Sequence, residues 1–256
     1  MKGAESMLKI RNKSDTSAEM YISGSIVDDD VGGYFESWDD PGTGFEWPKE
    51  IREQLDALKG KDITIYINSD GGVVNAGVAI ANMISRHDGH TKAVVDGWCC
   101  SIATQIFFAA DERKIPSNAY LMIHKPAVGV YGNSDDLLKV ADTLDTIQEG
   151  LETTYRKAAR DGVTDEEIHE LTNKETWLTG TEAAKIFDIE LMEPLKAVAC
   201  VGNKARFRNT PEGIRFMAEA LPDKKPGQAI DEAASAADDE AEVEIALALS
   251  KGAMLK

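Results

Sequence analysis

Apolar positions along the chain fall into two periods. Alternating or β-branched runs at residues 20–27 (Met-Tyr-Ile-Ser-Gly-Ser-Ile-Val), 63–68 (Ile-Thr-Ile-Tyr-Ile-Asn), 92–95 and 120–124 (Tyr-Leu-Met-Ile-His) predict strands, because branched and aromatic side chains pack well on a pleated surface. Between them the spacing becomes helical. Pro48 suits a first helical turn, Ile51, Leu55 and Leu58 form its stripe, and Gly60 ends it. Val74, Val78, Ala81 and Ile84, with small Ala76, Gly77 and Ala79 between them, predict a helix packed closely on a sheet. An apolar helical run follows residue 101. Ser134-Asp135-Asp136 then caps a long helix whose Leu137, Leu144 and Leu151 recur every seventh residue, joined by Val140, Ala141, Ile147 and Tyr155, as far as Arg160. A stripe of that length meets another helix or another subunit. Thr164-Asp165-Glu166-Glu167 opens a short helix and residues 179–189 form one more. Residues 28–47, rich in Asp, Gly and aromatics, read as a loop whose Phe35, Trp38, Phe45 and Trp47 pack back on the body or on a neighbour. Strands alternating with helices predict an α/β fold with largely parallel pairing.

Composition narrows the class. With 256 residues and 43% hydrophobic content the chain can bury an ordinary core. No run reaches the roughly 18 apolar residues that cross a bilayer, and the start of the chain lacks an apolar secretory segment, so the expected location is the cytoplasm. The 45 acidic residues against 28 basic give a formal charge of −17, which argues against nucleic-acid or anionic-membrane partners. Three cysteines, Cys99, Cys100 and Cys200, fit neither a disulfide framework nor paired metal-ligand spacing. His87 and His90 have a spacing compatible with a metal, but nothing nearby completes a site, and no cofactor or metal is expected. Residues 1–19 read as a flexible leader. After residue 201 the character changes, and residues 231–244 hold acids without a basic residue, so 201–256 reads as an acidic, largely flexible tail.

The candidate chemistry lies at strand ends. Ser101 falls between the run Ala93-Val94-Val95, a turn at Asp96-Gly97, and the following helix. It reads either as a buried helix-start serine or as a nucleophile, with the Ile102 amide at the helix start available to a developing oxyanion. Cys100 is a rival nucleophile. Gly71-Gly72 ends the strand 63–68 and is either a tight turn or a place where backbone amides approach a ligand. No Gly-Lys-Ser/Thr follows it, so the chain shows no Walker-type ATP site. His124, before Lys125-Pro126, is either a core histidine or a base.

The order of these features carries a resemblance. Tyr66-Ile67-Asn68-Ser69-Asp70-Gly71-Gly72, then Asp96-Gly97-Trp98-Cys99-Cys100-Ser101, then Met122-Ile123-His124-Lys125-Pro126, then Glu175-Thr176-Trp177-Leu178-Thr179-Gly180-Thr181-Glu182-Ala183-Ala184 resembles the Clp protease proteolytic subunit over residues 20–193. Gly132-Asn133-Ser134-Asp135-Asp136-Leu137 and Glu175-Thr176-Trp177 look closest to the ClpP-like head maturation (prohead) proteases of tailed bacteriophages. The resemblance implies a ClpP/crotonase-like fold of repeated β-α units with a long handle helix, as one serine protease domain over 20–200. It implies Ser101 as nucleophile, His124 as general base and Glu175 as the orienting carboxylate, where housekeeping subunits carry Asp. The amides of Gly72 and Ile102 would form the oxyanion hole, and Gly71, Gly72, Lys125 and Pro126 would bind a substrate strand. Cys99-Cys100 stands in place of the usual Ala pair and Asp70 in place of Pro. The implied function is a homo-oligomeric serine endopeptidase processing scaffold and capsid precursors in the host cytoplasm or a forming procapsid. The alternatives are a housekeeping subunit with a partner AAA+ unfoldase, an acyl-CoA enzyme of the crotonase fold, or a catalytically silent assembly protein.

Overall fold

The densest β-branched run becomes the strand at the centre of the sheet. In the computed structural model, which describes residues 10–12, 14–37 and 44–194, strand β4 (Asp62–Gly72) lies between β2 (Ser17–Ile26) and β5 (Thr91–Cys100), parallel to both. Ile63, Ile65 and Ile67 point to one face and are buried, while Thr64 and Tyr66 on the other face are half-exposed. That alternation marks a sheet covered closely on one side. Strand β1 (Ile10–Asn12) runs antiparallel along β2, and β3 (Phe45–Glu46) pairs parallel with the end of β2. Beyond β5 lie β6 (Glu112–Pro116) and β9 (Glu190–Met192), both parallel. Strand β7 (Tyr120–Ile123) pairs with the last residues of β5, and β8 (Thr176–Thr179) returns antiparallel to β7. The expected α/β class with mostly parallel strands is what the chain adopts.

Helices α2 (Pro48–Ala57), α3 (Val74–Ser85) and α4 (Ala103–Phe108) contribute Ile51, Leu55, Ile80, Ile84, Ile106 and Phe107 to the main core. The long helix α5 (Ser134–Ala158) adds Leu151, Tyr155 and Ala158, α6 (Asp165–Asn173) adds Ile168, and α7 (Gly180–Ile186) adds Ala183. The first half of α5 projects outward, and Leu137 and Leu138 there are exposed.

Several expectations are corrected. Residues 28–47 are not all loop, since helix α1 (Asp29–Ser37) forms there. The Asp28 carboxylate accepts from the Val31 amide at 3.0 Å, and α1 rests on Trp47, whose ring fills the space a Cβ on Gly32 would need. Capping and tertiary contact thus outweigh the two glycines. Regular structure also reaches into 1–19, because the register of β2 with β4 begins at Ser17 opposite Asp62. Val78 is exposed, and α3 instead buries Ala76, Gly77, Ile80 and Ile84. A Cβ on Gly77 would meet Ile102 Cγ1 at 2.3 Å, so the small residues, rather than Val78, set the packed face.

Asp96-Gly97 does not break β5. The strand continues, and its register with β4 jumps from Ile67↔Val95 to Ser69↔Cys99, with the Trp98 amide bonded to Asn68 Oδ1 at 3.1 Å. The two extra residues form a bulge that re-aims the end of the strand. Helix α5 is capped by Asn133, whose side chain accepts from the Asp135 and Asp136 amides, rather than by Ser134-Asp135-Asp136 alone. Helix α7 stops at Ile186, three residues short of the expected end. His87 Nε2 lies 2.7 Å from the Lys61 carbonyl oxygen and His90 Nε2 3.1 Å from Glu112. The two rings therefore serve separate contacts. The side chains of Phe35 and Trp38, Cys200 and the acidic tail from 201 to 256 lie outside the described residues.

Candidate active site

Sheet register alone brings three distant residues together. Cys100 ends β5 opposite Met122 on β7, so Ser101 lies one step beyond the pair, and its amide donates to the Met122 carbonyl at 2.8 Å. His124 is the first residue after β7. Ile123 stands opposite Thr176 in the antiparallel β7–β8 pair, so Glu175, just before β8, comes level with His124. Each residue sits where pairing ends and the backbone is free to turn.

The side chains meet. Ser101 Oγ is 2.8 Å from His124 Nε2, a hydrogen-bond distance. On the other side of the ring Nδ1 is 3.7 Å from Glu175 Oε2, too long for a hydrogen bond but within ion-pair range once the imidazole is protonated. The His124 side chain is 20% exposed and that of Glu175 9%, so the imidazole bridges a nearly buried carboxylate to a more open hydroxyl. Among the described residues, the non-glycine residues at positive φ are Ser101 at 55° and Glu175 at 52°. A left-handed L-residue costs about 1–2 kcal/mol, and the fold imposes that cost at the two ends of this constellation.

Gly71 and Gly72 border the serine. Gly71 has φ 87°, and a Cβ there would lie 2.7 Å from both the Cys100 oxygen and Ser101 Cβ and 3.1 Å from the Ile102 nitrogen. The backbone at Gly71 thus packs against Cys100, Ser101 and Ile102 at a distance that only a residue without a side chain allows. Gly72 has φ 154°, and its Cβ would meet the Ile26 oxygen at 1.9 Å. Lys125 and Pro126 follow His124 without regular structure, Lys125 exposed and Pro126 half-buried.

Residues not singled out from the sequence hold this arrangement. Buried Ser69 donates to the Gly24 carbonyl at 2.6 Å and accepts from the Gly71 amide at 3.1 Å, fixing the glycine end of β4; a serine two residues before a required glycine is the available signal. Buried Asp70 accepts from Ser25 Oγ at 2.9 Å, which ties the same strand end to β2. Thr104 Oγ1 donates to the Ser101 carbonyl at 2.6 Å and lies 2.7 Å from Tyr155 Oη. Thr104 sits in an apolar run, and nothing in the sequence marks it. The rival nucleophile is silenced by its surroundings. The Cys100 thiol is fully buried, and burial, then the charges of Cys99, Asp70 and Glu175, push it well above the ordinary thiol range. A thiol that stays protonated is a poor nucleophile.

Comparison with known proteins identifies the family. The family model described as Clp protease matches residues 47–187, more than half of the chain and a span that includes Ser101, His124 and Glu175. The chain is 29% identical over 126 residues to the ATP-dependent Clp protease proteolytic subunit of Bacteroides fragilis, covering 48% of this chain and 60% of that protein. It is 30% identical over 124 residues to the ATP-dependent Clp protease proteolytic subunit 3 of Streptomyces coelicolor, covering 48% of this chain and 56% of that protein. It thus spans less than two thirds of the length of these relatives. Among solved structures, a point mutant of ClpP1 from Listeria monocytogenes superposes with a TM-score of 0.54 at 27% identity, covering 68% of this chain and 91% of that one. Sequence, fold and strand-end geometry converge, and the chain belongs to the Clp protease family.

Proposed function

We propose that the chain is a serine endopeptidase in which Ser101 is the nucleophile, His124 the general base and Glu175 the carboxylate that orients the imidazole. The observation that carries this reading is the 2.8 Å contact between Ser101 Oγ and His124 Nε2, with a carboxylate against the opposite ring nitrogen. For Nε2 to accept the serine proton, the ring proton resides on Nδ1, facing Glu175. As the hydroxyl oxygen attacks a peptide carbonyl its proton passes to Nε2, and Glu175 offsets the imidazolium charge. The Gly72 and Ile102 amides are the proposed donors to the tetrahedral oxyanion; loss of one such donor costs about 3–4 kcal/mol of barrier in serine proteases. His124 then protonates the leaving amine, and water releases the acyl group by the same route in reverse. The extended backbone at Gly71-Gly72, with Lys125-Pro126, is the proposed seat of a substrate strand, which fits tolerance of many sequences. The outward apolar positions of α5 support assembly into a homo-oligomeric ring.

The finer reading is processing of scaffold and capsid precursors during phage head assembly. It is supported by Gly132-Asn133-Ser134-Asp135-Asp136-Leu137 and Glu175-Thr176-Trp177, which look like the phage branch. The names of the relatives, ATP-dependent proteolytic subunits, favour a second reading, a housekeeping subunit fed by an AAA+ unfoldase. The test is cleavage of a co-expressed capsid precursor by wild type and by Ser101→Ala. Cleavage by wild type alone supports the first reading, whereas cleavage only when a host unfoldase and ATP are added supports the second. Equal cleavage by Ser101→Ala removes the peptidase mechanism from both.

A further inference from the structure

The Ser101 carbonyl is held by more than the helix that follows it. It accepts the Thr104 amide at 3.0 Å and the Thr104 hydroxyl at 2.6 Å. A carbonyl cannot donate, so the single Thr104 hydroxyl proton is committed to Ser101. Tyr155 Oη, 2.7 Å from Thr104 Oγ1, must then be the donor in that contact. Both side chains are buried, Thr104 at 0% and Tyr155 at 1% exposure. A tyrosine hydroxyl ionises only near about 10 and burial raises it further, so Tyr155 has a proton to donate at neutral pH. The Gln105 side-chain amide donates to the Leu151 carbonyl at 3.2 Å, a second tie between α4 and α5.

We propose that Thr104 is a positioning residue for the nucleophile, and that Tyr155 of α5 anchors it by donating to its hydroxyl. The proposal rests on the peptidase reading above. Its physical basis is the backbone of Ser101, held at φ 55°, a conformation that relaxes unless neighbouring contacts over-determine it. The relay Tyr155 to Thr104 to Ser101 is such a contact. It reaches the nucleophile through its own carbonyl and sets where Oγ points. Misplacing a reacting atom by about 1 Å costs up to 10²-fold in rate, so a lock of this kind governs reactivity while touching neither substrate nor imidazole.

The test is the second-order rate of fluorophosphonate labelling at Ser101 in the full chain, with melting temperature and native mass recorded for each variant. Thr104→Val keeps the shape and removes both hydroxyl contacts; it is expected to slow labelling about tenfold or more. Tyr155→Phe leaves the hydroxyl of Thr104 but frees it, so a smaller loss is expected, and Thr104→Ser restores the donor and a near wild-type rate. Should Thr104→Val fold poorly, Tyr155→Phe and Thr104→Ser still give the order of rates. If folded Thr104→Val and Tyr155→Phe label as fast as wild type, the positioning role is overturned while the peptidase reading stands. A wild-type chain that takes no label overturns both.

Discussion

Ser101 and Glu175 share an unusual backbone state, each left-handed and each at the end of a paired strand. That state turns the two side chains toward the imidazole and makes the neighbouring glycines indispensable. Gly71→Ala would place a methyl 2.7 Å from Ser101 Cβ at φ 87°, so it is expected to destabilise the fold by about 1–3 kcal/mol and to displace the serine; denaturant melts and labelling of the folded fraction check both effects. Glu175→Gln keeps size but removes the charge that offsets an imidazolium. The expected loss is about 10²–10⁴ in kcat/KM on a peptide substrate, with little change in melting temperature. As candidates, Ser101 and His124 were legible beside strands that the sequence predicts, whereas Glu175 came from the resemblance alone, because no strand was expected at Thr176–Thr179. The bond between Thr104 and Tyr155 was not legible, since a buried hydroxyl in an apolar run leaves no pattern until its partner, 51 residues away, is brought against it.

Among the elements, β5 decides the site. Its first half pairs with β6 and its last residues with β7, and the bulge between them carries Ser101 to His124. Asp96-Gly97 reads locally as a turn, yet pairing on both sides keeps the chain extended. The same limit explains why β6 and β9 went unseen, because Glu112, Arg113 and Lys114 look like surface until Lys114 meets Glu190 at 2.9 Å. The start of β5 is secured by Asp111, which accepts from the Thr91 amide at 2.9 Å and the Thr91 hydroxyl at 2.8 Å. Those bonds, the amide first, hold the Asp111 carboxyl below the usual carboxylate range. A depressed folded pKa adds stability above the unfolded value of about 3.9, and that stability is lost as pH falls through the folded one. Asp111→Ala is therefore expected to melt below wild type at pH 7, with the gap closing as pH drops below about 4; thermal melts across that range check it.

At the scale of the molecule, the described chain leaves an apolar face uncovered. Val128, Val130, Tyr131, Leu137 and Leu138 are exposed, Tyr131 at 96% and Leu138 at 65%, all on the segment leading into α5 or its first turns. A run of that kind is the candidate surface for the homo-oligomer proposed above. Leu138→Asp should lower the native mass in light scattering, while the melting temperature of the protomer moves little because Leu138 lies outside the core. Among the described residues no helix is long and apolar enough to cross a membrane.

The central claim is that Ser101 is made reactive by His124. Mass spectrometry of the chain after fluorophosphonate treatment, mapped to the modified peptide, measures it most directly. The account predicts one adduct, on Ser101, which is absent from His124→Ala. No adduct on the folded wild type, an adduct on Cys100, or undiminished labelling of His124→Ala would contradict it.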